Sequence, residues 1–390
     1  MKRPSACSKL MDTLEAGDVT IYYEISPILL SQWTGIPAVA AAYAQEICSI
    51  GSDRFQFFFD DVIIPRDAIA ETLTRRTGSF LSRALEFRRA QFSPLDVFSR
   101  EGINVGLYPS VKHEPGIFDK EISFVHDLST HITPFYHTIH NIKYHLEYLA
   151  EEIRTNDLTL AVSRSTLDDI KYYFGTEEDR LGVVYNAVSW PEEFAVKFMA
   201  ELGSAYVEPY ILILGTREPR KNHQIIFDML TRWPELLEKY RFVFTGRSGW
   251  LEDQLSVPST VMRGFESGRI IYTGFVDEYT KYKLLRLAYF SIYGSMFEGF
   301  GLPIIESMSV GTPCIASFSS SHPEVGGRAA LYFDPLSAES LFERVEFLGR
   351  LSDEDARALS EASVEESRKF TWKSSFQELC YQIGKVLVFD

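Results

Sequence analysis

The chain has 390 residues, enough for two or three domains with large cores. At 45% hydrophobic and 24% charged it has the composition of a folded globular protein, and a net charge of −15 argues against nucleic acid as a partner. Cys7, Cys48, Cys314 and Cys380 are far apart in sequence and have neither metal-ligand nor redox spacing, which suits a reducing cytoplasm. No apolar run reaches transmembrane length, and no long apolar stretch follows Lys2 and Arg3, so no signal peptide is expected.

In chain order, strands are expected at Thr20–Ile25, Phe55–Asp60, Asn104–Tyr108, Ile122–His126, Thr159–Ser163 and Val183–Tyr185. Helical patterns lie between them near 36–50, 78–92, 135–154 and 165–174. After Gly203 the alternation restarts: strands at Tyr210–Leu214, Phe242–Phe244, Ile270–Tyr272, Phe290–Tyr293 and Pro313–Ala316, helices near 222–232, 278–287 and 303–310. This is an α/β pattern of parallel sheets covered by helices on both faces. It implies two doubly wound Rossmann-like domains facing a cleft, 1–203 and 204–371, with the boundary in the polar stretch 190–208. An amphipathic helix from Trp372 to Val386, within a segment 372–390, can return toward the first domain.

Two segments of the second half carry chemistry. Ile211-Leu212-Ile213-Leu214-Gly215 is a buried strand ending in glycine, followed by Thr216-Arg217-Glu218-Pro219-Arg220-Lys221-Asn222. Arg217, Arg220 and Lys221 precede a helix start, with Asn222 as the expected N-cap. There charge and helix dipole both favour an anion such as phosphate. The second segment, Phe297-Glu298-Gly299-Phe300-Gly301-Leu302-Pro303-Ile304-Ile305-Glu306, places two carboxylates on either side of a glycine bend and a helix start. Pro303 suits the first helical turn and Gly311 the helix stop. Backbone N–H groups of Phe300, Gly301 and Leu302 are expected to face an anion, and Glu298 and Glu306 to accept from sugar or ribose hydroxyls.

Gly215-Thr216-x-Glu218-Pro219-Arg220-Lys221-Asn222, the Phe297–Glu306 segment and Ser320-x-x-Pro323-Glu324-Val325-x-Gly327 with Ala329-Ala330 together resemble the retaining GT-B-fold glycosyltransferases of family four, the group 1 glycosyltransferases. The likeness is specific from roughly 205 to 386 and looser before. It implies a second domain that binds a nucleotide-sugar and a first that binds the acceptor. By resemblance Lys221 contacts the diphosphate, Glu298 the donor sugar and Glu306 the nucleotide ribose. Backbone groups of Phe300, Gly301 and Leu302 meet sugar and phosphate, and those near Gly246 and Phe275-Val276 meet the base. Many members place an arginine five residues before the lysine; here Thr216 holds that position. Arg217 and Arg220 are the neighbours that can substitute, with Arg220 ranked first because related sequences also carry Arg-Lys-Asn.

In the first half, Gly35 of Trp33-Thr34-Gly35-Ile36-Pro37 opens a helix after the first strand, and the family brings a glycine N–H here near donor phosphates or acceptor. The alternative is an ordinary turn glycine. His126 ends a strand in Val125-His126-Asp127-Leu128; the family has a histidine here near the donor sugar, against the alternative of a satisfied strand-end histidine. Asp127 orients that ring or caps a turn; Val162-Ser163-Arg164-Ser165-Thr166 resembles a family segment whose hydroxyls and basic group lie beside the cleft, and helix capping explains those hydroxyls nearly as well. His131, His137, His140 and His145 match no zinc signature, and Asp353-Glu354-Asp355 reads as a solvated helix face, so no metal is expected. Arg75, Arg76, Arg83, Arg88, Arg89 and Arg100 interleave with Phe80, Leu81, Leu85 and Phe87, a basic-apolar element suited either to an anionic membrane surface or to a solvated helix that packs its apolar side on the core.

The resemblance implies transfer with retention by a front-face route, in which a phosphate oxygen takes the acceptor's proton, without metal or other cofactor. Glu298, His126 and Lys221 are the expected catalytic groups. The signature is most similar to mannosyltransferases of cell-surface polysaccharide assembly, such as lipopolysaccharide O-antigen. GDP-mannose is then the expected donor, a glycan or polyprenyl-diphosphate-linked chain the acceptor, and the cytoplasm, at the inner face of the membrane, the place of action. The competing readings are a nucleotide-sugar epimerase or phosphorylase on the same fold, or a non-catalytic nucleotide-sugar-binding protein. No cofactor-lysine segment of a phosphorylase is identifiable, and Gly294 to Gly301 lacks the glycine spacing of a dinucleotide dehydrogenase.

Overall fold

The computed structural model describes residues 6–97, 101–202, 208–251 and 255–387. The chain separates into two units: Met1–Leu128, Lys143–Ala187 and Thr371–Asp390 form one, Ser129–Ile142 and Val188–Phe370 the other. Gly203, at the expected boundary, lies outside the described residues. Besides the segment Ser129–Ile142, which falls inside the expected first domain, the second unit takes up the chain from Val188. Its helix Glu192–Glu201 places Phe194 on Tyr279 (ring centroids 5.2 Å) and Phe198 on Tyr282 (6.0 Å).

The first unit is built on an eight-stranded sheet. In spatial order it runs Ser93–Pro94, Val62–Ile64, Phe55–Phe59, Val19–Glu24, Ile103–Tyr108, Lys120–Val125, Leu158–Ala161, Leu181–Val183. Six of these are parallel. Toward one edge Val62–Ile64 pairs antiparallel with Phe55–Phe59, and the edge strand Ser93–Pro94 pairs antiparallel with Val62–Ile64, a departure from the all-parallel expectation. The cause is local: only Asp60 and Asp61 separate Phe59 from Val62, Asp60 takes φ 49°, and so short a link permits only a hairpin.

Two helices begin or end elsewhere than expected. The 135–154 pattern becomes a 3₁₀ turn at Pro134–Tyr136 and a helix at Ile139–Thr155, because Thr138 Oγ1 accepts from Asn141 N–H and fixes the start there. The 78–92 pattern stops as an α-helix at Arg88 and finishes in a 3₁₀ turn. The last helix, Trp372–Leu387, packs within the first unit, with Trp372 edge-on to Tyr43 at 5.5 Å. Although Cys7 and Cys380 are remote in sequence, their thiol sulfurs lie 2.8 Å apart.

Glu152 is buried in this unit, and burial pushes its carboxyl up to about 8 against weaker opposition from Ser123 and Lys112; burial likewise takes Glu24 to about 7. An acid whose folded pKa is raised holds a proton that the unfolded chain has released. Stability is therefore highest below the ordinary carboxylate range and falls as pH rises toward 8. Glu152→Gln is expected to flatten that decline in a thermal-midpoint series from pH 5 to 8.5; an unchanged slope would contradict the assignment.

The second unit holds a six-stranded, fully parallel sheet in the order Ile270–Gly274, Arg241–Thr245, Tyr210–Leu214, Phe290–Tyr293, Cys314–Ser317, Leu331–Phe333. Tyr210–Leu214 is buried along its whole length. Ile211 and Ile213 pack into one core with Phe242, Phe244 and Ile292, while Tyr210, Leu212 and Leu214 pack into another with Phe198, Tyr282 and Leu285. Alternation along a strand sends neighbours to opposite faces, so helices cover both sides. Each such side chain contributes about 1.5–3 kcal/mol on burial.

Candidate donor site at the strand crossover

In the second unit the first strand in sequence, Tyr210–Leu214, lies beside the fourth, Phe290–Tyr293. Chain direction across the sheet reverses between them. The loops leaving their carboxyl ends must diverge to opposite faces, which opens a crevice where such folds bind ligands. Those two loops are Gly215–Asn222 and Gly294–Gly301, so the topology brings the two sequence motifs together.

The join is ionic. Lys221 Nζ lies 2.5 Å from Glu298 Oε1 and donates to Tyr293 Oη at 3.2 Å. Arg220 Nη1 reaches the same Glu298 oxygen at 3.0 Å and the Phe297 carbonyl at 2.7 Å, while Nη2 donates to Glu218 Oε1 at 2.9 Å. Glu298 is only 9% exposed and Glu218 2%. Burial alone would raise the Glu298 carboxyl, but Arg220 and Lys221 more than reverse this and hold it well below the ordinary carboxylate range. At Glu218 burial dominates over the same two cations and the carboxyl is raised. An ammonium has three donors. Among the described residues, two of those on Lys221 are directed at Glu298 and Tyr293.

The loop around Glu298 is held by serines. Its N–H donates to Ser320 Oγ at 2.9 Å; Ser321 Oγ donates to the carbonyls of Glu298 (3.0 Å) and Phe300 (2.7 Å). Gly301 then takes φ 102° as the residue before the helix Leu302–Ser309, with Pro303 in the first turn. A Cβ on Gly301 would meet His322 Cδ2 at 3.2 Å and Ile304 Cδ1 at 3.3 Å, so both conformation and space require glycine. Phe300 is buried, edge-on to Phe370. Glu306 lies on the same helix and accepts from Lys281 Nζ at 2.5 Å.

Two expectations change. Asn222 is not a side-chain N-cap. It takes the left-handed φ of 54°, and its Nδ2 donates to the carbonyls of Gly294 (3.2 Å) and Pro335 (3.0 Å), tying the first loop to the second. Pro219–Lys221 is a 3₁₀ turn and the helix starts at His223. The two neighbouring arginines point in different directions. Arg217 stacks over the Tyr272 ring at 4.7 Å and bonds Ser248, whereas Arg220 joins Lys221 and Glu298. Thr216 lies in the same loop, its carbonyl accepting from Glu218 N–H. Gly246 N–H donates to the Gly274 carbonyl; a Cβ there would sit 1.9 Å from the Gly215 carbonyl oxygen, so close backbone approach explains that glycine. Val276 is partly buried just before the N-cap Asp277 of the helix Glu278–Leu287. Sequence reasoning missed Tyr293, Glu218 as an ionic partner, Lys281 and His322; the Ser320–Gly327 segment was the available signal for the serines and His322.

Gly35 and His126 belong to the first unit. Gly35 has φ 61° and ψ −124° at the start of the helix Ile36–Ile50, with open space where a Cβ would stand. His126 follows the strand Lys120–Val125, and its Nε2 lies 2.7 Å from the Pro109 carbonyl, so that nitrogen carries the proton. Burial lowers its pKa, against the opposing effects of Pro109 and Asp127, leaving a neutral imidazole at pH 7. Ser163 is a helix cap, its Oγ accepting from Thr166 N–H at 3.0 Å.

A doubly wound, mainly parallel sheet in each of two units is the architecture of the GT-B glycosyltransferase fold. HepE of Anabaena, solved in complex with UDP and glucose, superposes with a TM-score of 0.64 at 16% identity, over 94% of this chain and 99% of that one. A model described as Glycosyl transferases group 1 matches residues 197–365. O-antigen chain mannosyltransferase B of Escherichia coli is 30% identical over 268 residues, 67% of this chain and 69% of that protein. The serotype-specific mannosyltransferase WbdA of Escherichia coli is 30% identical over 244 residues, 60% of this chain but 29% of WbdA. The chain belongs to the group 1 glycosyl transferases and is a glycosyltransferase.

Proposed function

We propose that the protein transfers mannose from GDP-mannose, with retention, to a glycan or polyprenyl-diphosphate-linked acceptor in O-antigen-type polysaccharide assembly. The observation that carries the donor site is the Arg220–Lys221–Glu298 cluster at the strand crossover. The mannosyl assignment is supported by the named activities of the relatives. In this reading the third Lys221 donor and the first turn of Leu302–Ser309 stabilise negative charge growing on the departing diphosphate. Glu298, kept ionised, accepts from sugar hydroxyls and fixes the reacting carbon in register. Glu306 accepts from the ribose, and backbone near Gly246 and Val276 meets the base. A leaving-group oxygen takes the acceptor's proton as the new bond forms on the same face. His126, neutral, lies on the acceptor-binding unit with Gly35. The test is a nucleotide-sugar panel by thermal shift, followed by NMR of the product's anomeric centre. A shift confined to GDP-mannose and a retained α linkage are expected; selection of another donor, or inversion, would contradict the reading.

We also place its action in the cytoplasm, at an anionic membrane. Among the described residues no helix is long and apolar enough to cross a membrane. On the helix Ser79–Arg88, Leu81 and Leu85 are buried while Phe80 and Phe87 are 55% and 75% exposed beside exposed Arg83 and Arg88. The basic surface is smaller than its composition suggests: Arg75 pairs with Glu71, Arg89 pairs with Asp60 and Asp61, and Arg100 lies outside the described residues. Phe80→Ser with Phe87→Ser is expected to lower co-sedimentation with phosphatidylglycerol vesicles several-fold while leaving the thermal midpoint unchanged. Undiminished binding would remove this helix as the docking element.

A further inference from the structure

Glu306 is already engaged. Its Oε1 accepts from Lys281 Nζ at 2.5 Å, while its Oε2 has no partner among the described residues. Lys281 stands one turn into the helix Glu278–Leu287, just after Val276. Asp277 caps that helix, accepting from Thr280 N–H at 2.8 Å. The ammonium also lies over the Trp190 ring, 5.3 Å from its centre. Trp190 Nε1 donates to Ser309 Oγ at 2.8 Å, and Ser309 Oγ donates to the Glu306 carbonyl at 2.9 Å. The pair is thus braced through Trp190 and Ser309 back to the helix that carries Glu306. With side chains 27% and 14% exposed, it is more restrained than the fully exposed pairs that contribute little. A bare carboxylate beside a nucleoside diphosphate would also repel it; Lys281 cancels that charge.

We propose that Lys281 is a positioning residue for the nucleoside end of the donor site. By holding Oε1 it turns Oε2 toward the ribose hydroxyls. This rests on the reading of Glu306 as the ribose ligand.

The experiment compares binding of GDP and 2′,3′-dideoxy-GDP, with the UDP pair alongside, to the full chain by calorimetry. The wild type is expected to prefer the ribonucleotide by about tenfold or more, the effect of a hydrogen bond to a charged acceptor. Lys281→Met is expected to cut that ratio to near unity, and Lys281→Arg to restore most of it. Glu306→Ala tests the underlying reading separately. A lost ratio in Glu306→Ala with an unchanged ratio in Lys281→Met would overturn the role of Lys281 alone, even if the Lys281→Met midpoint fell, since a purely structural tie moves stability and not discrimination. An unchanged ratio in Glu306→Ala, or no binding of either ribonucleotide by the wild type, would overturn both.

Discussion

Replacing Lys221 or Glu298 by alanine is expected to lower turnover by about two to three orders of magnitude, the range seen when one preorganised electrostatic group is removed from an active site. The two losses should differ in kind. On the proposed donor site, Lys221→Ala takes a point-charge donor from the diphosphate, so kcat should fall and donor affinity with it. On the same proposal, Glu298→Ala takes an acceptor from the sugar while the cations remain: Arg220 keeps Glu218 and the Phe297 carbonyl, and Lys221 keeps Tyr293. Nucleoside diphosphate should then bind at least as well as to the wild type, and the loss should fall on kcat. Circular dichroism should be unchanged in both. Initial-rate kinetics with nucleotide affinity from calorimetry checks this; near-normal turnover in both variants would refute the site.

Arg220→Ala is expected to have a different and larger structural effect. One guanidinium serves Glu218, Glu298 and the Phe297 carbonyl. Its removal leaves two poorly exposed carboxylates with Lys221 as the remaining cation. Breaking a buried ion pair by deleting one partner costs about 3–5 kcal/mol. Arg220→Lys keeps a charge but not the fork, and should recover only part. Arg217→Ala, which removes a stack on Tyr272 and a bond to Ser248, is expected to leave the midpoint within a degree or so and activity largely intact. Differential scanning calorimetry of the three variants separates the two arginines; equal effects at both positions would contradict their assignment.

Much of the second unit was legible in the sequence. Tyr210–Leu214 and Phe290–Tyr293 read as strands because a parallel strand covered on both faces is a continuous apolar run. Their loops stood out through glycine and charge. What could not be read was set by tertiary direction. Arg220 ranked ahead of Arg217 only through the Arg-Lys-Asn resemblance; the extended Glu218 and the 3₁₀ turn after it aim the two apart. Asn222 had the residue type of a cap, yet asparagine also tolerates the left-handed region, and the carbonyls it binds at Gly294 and Pro335 are remote in sequence. Lys281 reaches Glu306, and Ser320 the Glu298 N–H, only through sheet order. In the first unit the Asp60-Asp61 turn lacked a glycine signal, which hid the edge hairpin.

On the proposed function, a nucleotide's diphosphate binds at the crossover of the second sheet. A crystal structure of the full chain with GDP, and with UDP in parallel, measures this directly. The account predicts the terminal phosphate within hydrogen-bond distance of Lys221 Nζ and the start of the helix Leu302–Ser309, with Glu306 on the ribose. A nucleotide seated elsewhere, with the Lys221–Glu298 contact undisturbed and no phosphate near it, would contradict it.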